Sequence, residues 1–256
     1  MIKKQTSELE ELLNEKAAYY ESLEFIKDDP ILIPHLFSKK EDIEIAGFFA
    51  AVLAWGQRVT IIRNAKRILT FMDNEPHDFI INHTEADLKQ INGFVHRTFN
   101  NDDLIGFMRS LQNIYKNHKG LENAFRFDSS QGIDQNLSSF KQLFFEPDHL
   151  PRTEKHLSNP LKKSSAKRLC MYLRWMVRSN AKGVDFGIWK NYQSSELKMP
   201  LDVHTGKIGR QLGLLKRKQN NWQAVEELTS SLLHYDSVDP IKYDFALFGM
   251  GVNNDF

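Results

Sequence analysis

Two residues of this chain, Lys167 and Asp202, are of types that can act together as an amine and a carboxylate. Lys167 begins the segment KRLCMYLRWMVR, and Asp202 stands 35 positions later, directly before VHTGKIGRQLGL. A lysine amine attacks an electrophilic carbon once it has lost its proton, and a desolvated carboxylate stabilises positive charge that develops on a sugar. If the fold brings the two together, the pair can open a glycosidic bond.

Each residue also has a purely structural interpretation. Asp202 stands at the N-cap of a predicted helix, and capping alone accounts for a carboxylate there. Lys167, Arg174 and Arg178 recur at helical spacing, which predicts an exposed basic face with or without a ligand. With the helix N-terminus this face forms an anion site. We expect phosphate contacts from a wider basic set, namely Lys162, Lys163, Ser165, Arg174, Arg178, Lys207 and Arg210.

The elements that must position these residues are predicted to be helical. The nearly continuous apolar segment 41–55 indicates a central buried helix, and a second, amphipathic helix follows to about residue 71. Ser7 and Glu10 predict a capping box before the first helix. Later helices are expected at about 165–178, 184–190, 203–214 and 239–249, and no strand pair is predicted. The fold class is all-α.

The domain organisation is predicted to be one helical unit with two lobes. One lobe spans about 35–150, and the other spans about 160–256 and takes the N-terminal helix. The stretch 146–164 holds three prolines and several charges, which is typical of a linker.

Composition excludes several kinds of protein. The single cysteine, Cys170, excludes an internal disulfide and a cysteine-ligated iron–sulfur cluster, and its position on an apolar helix face indicates packing. The net charge of +1 means that nucleic acid can be attracted only by a local patch. No segment reaches the length of a membrane span, and the charged N-terminus has no signal core, so we expect a cytoplasmic protein. We expect no metal site and no cofactor.

Three segments carry a resemblance to a known family. PLDVHTGKIGRQLGL, SSAKRLCMYLRW and FFAAVLAWGQRVTIIRNAKRIL resemble stretches of the helix-hairpin-helix DNA glycosylase superfamily. The spacing from Lys167 to Asp202 most resembles the archaeal 8-oxoguanine glycosylase branch. Together with YLRWMVR and KYDFALFGMG, these stretches are similar to an uncharacterised bacterial family related to these enzymes.

The resemblance implies roles for individual residues. Asp202 matches the essential carboxylate and Lys167 the nucleophile of bifunctional members. Gln57, with Arg58, matches the loop that fills the gap left by an extruded base. Trp55 is a neighbouring aromatic for stacking, and we place His204 in the same pocket. Lys163 and Ser165 stand where the hairpin usually carries two glycines, so this sequence departs from the pattern there.

Three functions follow from these observations. The first is a base-excision repair glycosylase with AP-lyase activity on damaged double-stranded DNA, with no iron–sulfur cluster. The second is a non-catalytic nucleic-acid-binding protein of the same fold. The third is a helical protein with another substrate or partner, in which Asp202 only caps a helix.

Overall fold

The structure, a computed structural model, describes residues 2–125, 128 and 130–255. Helices dominate these residues, which confirms the all-α class. The α-helices are α1 (Ile2–Tyr20), α2 (Leu23–Ile26), α3 (Lys40–Val52), α4 (Arg58–Phe71), α5 (Pro76–Asn82), α6 (Glu85–Gln90), α7 (Asn101–Asn117), α8 (Leu121–Ala124), α9 (Ile133–Phe144), α10 (Lys167–Val177), α11 (Val203–Gln211), α12 (Trp222–Leu233) and α13 (Tyr243–Asn253). Short 3-10 helices lie at Pro30–Leu32, Pro34–Leu36, Pro151–His156, Pro160–Lys162, Ser194–Glu196 and Pro240–Lys242.

Three local expectations are wrong. Helix α1 begins at Ile2, so Ser7 and Glu10 lie inside it and form no capping box at its start. Residues 184–190 are irregular rather than helical. Strands β1 (Val95–His96) and β2 (Phe99–Asn100) form a small antiparallel pair that was not expected. Arg97, at the turn between them, adopts a φ of +57°.

The chain divides into two compact units. The first comprises Met1–Lys27 and Asn159–Phe256, and the second comprises Asp28–Ser158. The stretch 146–164, expected as a linker, contains both exposed and buried residues. Residues up to Ser158 belong to the second unit, where Thr153 and His156 are buried. Among the described residues, no helix combines the length and apolar character needed to cross a bilayer.

The second unit is built around α3. Every residue of this helix from Ile43 to Val52 is buried, as its apolar sequence predicts. Phe48 packs against rings of other helices, with ring centroids 6.2 Å from Phe107 and 5.3 Å from Phe144. Aromatic contacts of this kind supply much of the core of the unit.

The first unit is built around α10 and α13, whose residues are mostly buried. Two glycines allow neighbouring helices to approach α13 closely. A Cβ at Gly249 would lie 2.3 Å from ring atoms of Tyr20, which ends α1. A Cβ at Gly251 would lie 2.9 Å from Cβ of His204, in the first turn of α11. The position of α11, and so of Asp202, depends on this close packing.

An ion-pair network lies inside the first unit. The side chains of Arg174 and Arg178 on α10 are only 4% and 5% exposed. Arg174 contacts Asp185 and Asp244. The partners of the two arginines are four carboxyl groups, those of Glu21, Asp185, Asp239 and Asp244. Burial lowers the pKa of Arg178, but the charge of Asp185, the hydrogen bond to Glu21 and the charge of Asp239 outweigh it, and the net pKa is raised.

We expect Arg178→Ala to lower the free energy of unfolding by about 3–5 kcal/mol, because it leaves buried carboxylates without their cation. Urea unfolding followed by tryptophan fluorescence measures this, since Trp175, Trp189 and Trp222 all lie in the first unit. The control is Lys27→Ala in the same unit, which removes an exposed ion pair to Glu24 and costs at most about 1 kcal/mol. Equal effects of the two variants would contradict a structural role for the buried network.

Candidate active site

Lys167 and Asp202 meet in the first unit. Lys167 Nζ lies 3.9 Å from Asp202 Oδ2, although the residues are 35 positions apart in the chain. Their side chains are 26% and 22% exposed, so the pair is reachable from solvent without being fully hydrated. The structure therefore places the amine and the carboxylate next to each other.

Asp202 is held by its own helix. It is the N-cap of α11, with φ −117° and ψ −165°, and the backbone N–H of Thr205 donates to its Oδ1 at 2.9 Å. The other carboxylate oxygen, Oδ2, is the one nearest the lysine amine. The backbone carbonyl of Asp202 accepts a further bond, 2.8 Å long, from the side-chain amide of Asn220. Capping thus holds Asp202 with its second oxygen toward Lys167. The same side chain therefore caps α11 and lies beside the lysine amine.

Lys167 follows a sharp turn that begins α10. The chain forms the 3-10 helix Pro160–Lys162 and then places Lys163 and Ala166 in the left-handed region, at φ +66° and +47°. Lys163 is one of the two positions where the resembling hairpin carries glycine. The second left-handed residue is Ala166, the N-cap residue of α10, rather than Ser165.

Asp244, in the first turn of α13, is a buried carboxyl group of the same unit. Arg174 donates to its Oδ2 at 2.5 Å, and the residue is 5% exposed. Burial, opposed by the charge of Arg174 and helped by that of Asp202, raises the pKa of Asp244 to about 6, with Lys167 acting in the lowering direction. Sequence analysis did not select this residue, although it is the lone acid in the apolar segment YDFALFGMG. Tyr243 and Phe245 beside it are buried core residues.

The prediction of an exposed basic face on α10 is wrong for Arg174 and Arg178. Arg174 and Arg178 were predicted to bind phosphate, but both are buried and paired with carboxylates, so they cannot reach a ligand at the surface. Met171, which shares their face, is buried as well. The face that carries these residues points into the unit because carboxyl groups just after α1, after α10 and near the start of α13 provide partners for the two arginines. Cys170 is buried, as expected for packing, and burial raises the pKa of its thiol to about 12.

Arg210, also predicted to bind phosphate, instead holds a loop. Its guanidinium donates to the backbone carbonyls of Arg217 and Lys218 at 2.7 and 3.0 Å and to Asn220 Oδ1 at 2.6 Å. Because Asn220 also bonds the Asp202 carbonyl, the loop is tied to the start of α11. We call residues 216–218 the basic loop; its three side chains, Lys216, Arg217 and Lys218, are exposed and were missed by sequence analysis.

The remaining predicted residues of the first unit lie at its surface. Lys162, Lys163 and Lys207 are exposed, and Ser165 is half-buried. His204 is exposed in the first turn of α11, and its Nδ1 lies 3.0 Å from the carbonyl oxygen of Gly251, where it fastens α11 to α13.

The predicted wedge residues belong to the second unit. Gln57 is exposed at the N-cap of α4, and its side chain makes no capping hydrogen bond. Arg58 is half-buried at the first position of that helix. Trp55 is half-buried, and the guanidinium of Arg97 lies over its ring, 4.8 Å from the centroid.

No group of three or more histidine, cysteine or acidic side chains is placed to hold a metal ion within the part of the chain that the structure describes.

Substitutions at Asp202 separate its cap from its charge. Asparagine caps a helix as well as aspartate does, whereas alanine costs about 1 kcal/mol. We expect Asp202→Ala to unfold with a free energy about 1 kcal/mol below that of Asp202→Asn in urea titrations. Both variants lose the ion pair to Lys167, so the difference between them isolates the bond to Thr205. Equal stabilities would mean that Asp202 does not cap α11.

Comparison with known proteins gives one match. The model of a family described as protein of unknown function (DUF2400) matches residues 29–253. No curated protein and no solved structure matches the chain. The match covers most of the chain and includes both Lys167 and Asp202. The chain therefore belongs to the DUF2400 family.

Proposed function

We propose that this protein is a DNA glycosylase with AP-lyase activity, of the helix-hairpin-helix type and related to the archaeal 8-oxoguanine branch. The observation that carries the proposal is the 3.9 Å approach of the Lys167 amine to the Asp202 carboxylate at a partly exposed position. An ion pair of that kind between residues distant in sequence is not required by capping, which uses only Oδ1 of Asp202.

The chemistry follows from the two groups. The Lys167 ammonium first loses a proton to solvent. The free amine then attacks C1′ of the nucleotide, and the glycosidic electron pair leaves with the base, which takes up a proton. Asp202 stabilises the positive charge that develops on the sugar as that bond breaks. The resulting amine adduct opens to a Schiff base, and loss of a C2′ proton expels the 3′ phosphate by β-elimination.

The site must receive a nucleotide that has left the double helix, because a stacked base cannot be reached. Gln57 is assigned to the space left in the duplex, with Arg58 and Trp55 beside it, on the resemblance of their segment. The exposed side chain of Gln57 at the start of α4 supports this role. His204 is assigned to the pocket because it lies two residues after Asp202.

Phosphate binding is assigned to the exposed cations of the first unit. Lys162 and Lys163 precede α10, and Lys207 lies on α11. The basic loop adds three more cations and is joined through Asn220 to the backbone of Asp202. Such contacts position a protein on DNA without reading its sequence. Because the net charge of the chain is only +1, attraction of DNA depends on a local positive patch, which these side chains supply.

Borohydride trapping tests the nucleophile. Reduction of the Schiff base is expected to yield a covalent protein–DNA adduct with an oligonucleotide that contains an abasic site or a damaged base, resolved by denaturing electrophoresis. We expect Lys167→Ala to abolish the adduct and Lys182→Ala, which changes an exposed lysine of the same unit, to retain it. An adduct that persists in Lys167→Ala would refute the assigned role. DNA binding without trapping or cleavage of any lesion would favour the non-catalytic alternative.

The basic loop is tested by the salt dependence of DNA binding. Each lost phosphate contact reduces the slope of log affinity against log salt by about 1. We therefore expect the double variant Lys216→Ala/Lys218→Ala to reduce the slope by about 2 in fluorescence anisotropy titrations.

The matched control changes two other exposed lysines, Lys27→Ala/Lys116→Ala, and should leave the slope unchanged. Circular dichroism at each salt concentration verifies that all three proteins remain folded. Equal slopes for the loop variant and the wild type would remove the basic loop from the DNA interface while leaving the nucleophile assignment standing.

A further inference from the structure

Asn220 joins the basic loop to the turn that carries Asp202, and its side-chain amide uses both ends to do so. Its Oδ1 accepts a hydrogen bond from Arg210 Nη2 at 2.6 Å, and its Nδ2 donates to the backbone carbonyl of Asp202 at 2.8 Å. That carbonyl already accepts the first helical bond of α11, from the backbone N–H of Gly206 at 3.0 Å. The bond from Asn220 is therefore not needed to satisfy the helix, and its effect is to connect two segments.

A glycine in α11 makes room for this bridge. A Cβ at Gly206 would lie 2.8 Å from Arg210 Nη1 and 2.8 Å from Asn220 Oδ1. Gly206 lies inside a helix, where glycine is a much poorer helix former than alanine. A residue that weakens the helix but leaves space for the two side chains indicates that the bridge is part of the packing of α11.

The basic loop is also fastened to α12, where Glu227 Oε1 accepts a bond of 2.6 Å from the backbone N–H of Lys216. Arg210 fastens the other side of the loop to α11 through two backbone carbonyls. The loop therefore spans the space between these two helices. A change in its shape is passed to the turn of Asp202 through Asn220.

Positive charge is concentrated at the basic loop. The side chains of Lys216, Arg217 and Lys218 are exposed, and the guanidinium of Arg210 lies against the loop backbone. The described hydrogen-bond partners of Arg210 are uncharged oxygens, while Glu227 brings a carboxylate to the loop backbone. Four cations held close together repel one another, and this repulsion opposes closure of the loop on Arg210. A bound phosphodiester neutralises part of that charge and favours the closed form.

We propose that Asn220 is a positioning residue of the Lys167–Asp202 site, through which phosphate bound at the basic loop stabilises the turn of Asp202 that faces the Lys167 amine. The bridge is exposed, so water competes for its hydrogen bonds and it opens in the free protein. Phosphate shifts it toward the closed form and so fixes the carboxylate when substrate is present. The inference deepens the proposed function and rests on it for the reaction that the site performs.

The coupling between the loop and the turn acts in both directions. If phosphate binding stabilises the turn, the stabilised turn raises the affinity of the loop for phosphate by the same factor. The net effect of one hydrogen bond on an equilibrium constant is about fivefold, which sets the expected size of the coupling.

Hydrogen exchange of the Thr205 amide measures the state of the turn, because this N–H donates to Asp202 Oδ1 at 2.9 Å. Its exchange rate is followed by NMR in the intact ¹⁵N-labelled protein, alone and with two separate probes, undamaged duplex DNA and inorganic tripolyphosphate. We expect saturation with duplex DNA to slow the exchange about fivefold more in the wild type than in Asn220→Ala. Comparison of the two proteins removes the general effect of phosphate charge on the exchange rate.

Two further variants sharpen this experiment. Gln219→Ala is the matched control, since it removes the neighbouring exposed amide side chain, and it should behave as the wild type does. Gly206→Ala retains every polar group but adds a Cβ that displaces the side chains of Arg210 and Asn220, and it should behave as Asn220→Ala does. Alanine favours the helix, so this variant remains folded. Equal protection of the Thr205 amide in the wild type and both bridge variants would overturn the inference.

The two probes separate this inference from the proposed function. Protection of the Thr205 amide by tripolyphosphate, without any binding of duplex DNA, would refute the role in DNA repair and retain the coupling for another phosphate ligand. If neither probe protects this amide in the wild type, whether or not it binds, the coupling is overturned.

Single-turnover adduct formation tests the effect of the bridge on the reaction. With saturating abasic-site DNA, we expect Asn220→Ala to lower the rate about fivefold, because the turn is no longer stabilised. The salt slope of DNA binding should stay unchanged, since no phosphate contact is lost. A wild-type rate in Asn220→Ala at saturation counts against the inference. If the wild type forms no adduct at all, the proposed function fails, and the exchange experiment still decides whether Asn220 couples the loop to the turn.

Discussion

The candidate site depends on the burial of two guanidinium groups inside the first unit. Arg174 and Arg178 cannot lie in a packed interior without partners, because an uncompensated buried charge costs several kcal/mol. Their partners come from the end of α1, from the irregular segment after α10 and from the region that begins α13. These segments are far apart in the chain, so the network forms only when all of them are in place. That condition fixes α10, and with it the position of Lys167.

The Lys167–Asp202 pair is held in place by the fold and is still partly exposed to solvent. Asp202 uses one oxygen to cap α11 and directs the other toward the lysine, and His204 and Asn220 fasten the same turn to α13 and to the basic loop. A carboxylate held in this way needs little reorganisation when charge develops near it. The close approach of α11 to α13 at Gly251 shows that this placement is built into the packing.

Helices with strong local signals were predicted well. The apolar sequence of α3 and the N-cap at Asp202 both have the expected structure. The basic row of α10 was not predicted correctly, because periodicity shows which residues share a face and not whether that face is covered. Arg174 and Arg178 look like surface cations until the carboxyl groups that neutralise them are placed. Asp244 was missed for the same reason.

The sequence by itself determined the helical class, the absence of a cysteine-ligated cluster and the positions of Lys167 and Asp202 at the starts of two helices. These properties depend on composition and on signals within one or two turns of the chain. Only the tertiary structure decided that the amine and the carboxylate meet and that two arginines are buried against carboxyl groups. Contacts between residues 35 or more positions apart arise from the packing of whole helices, and no local pattern reports which helix surfaces will face each other.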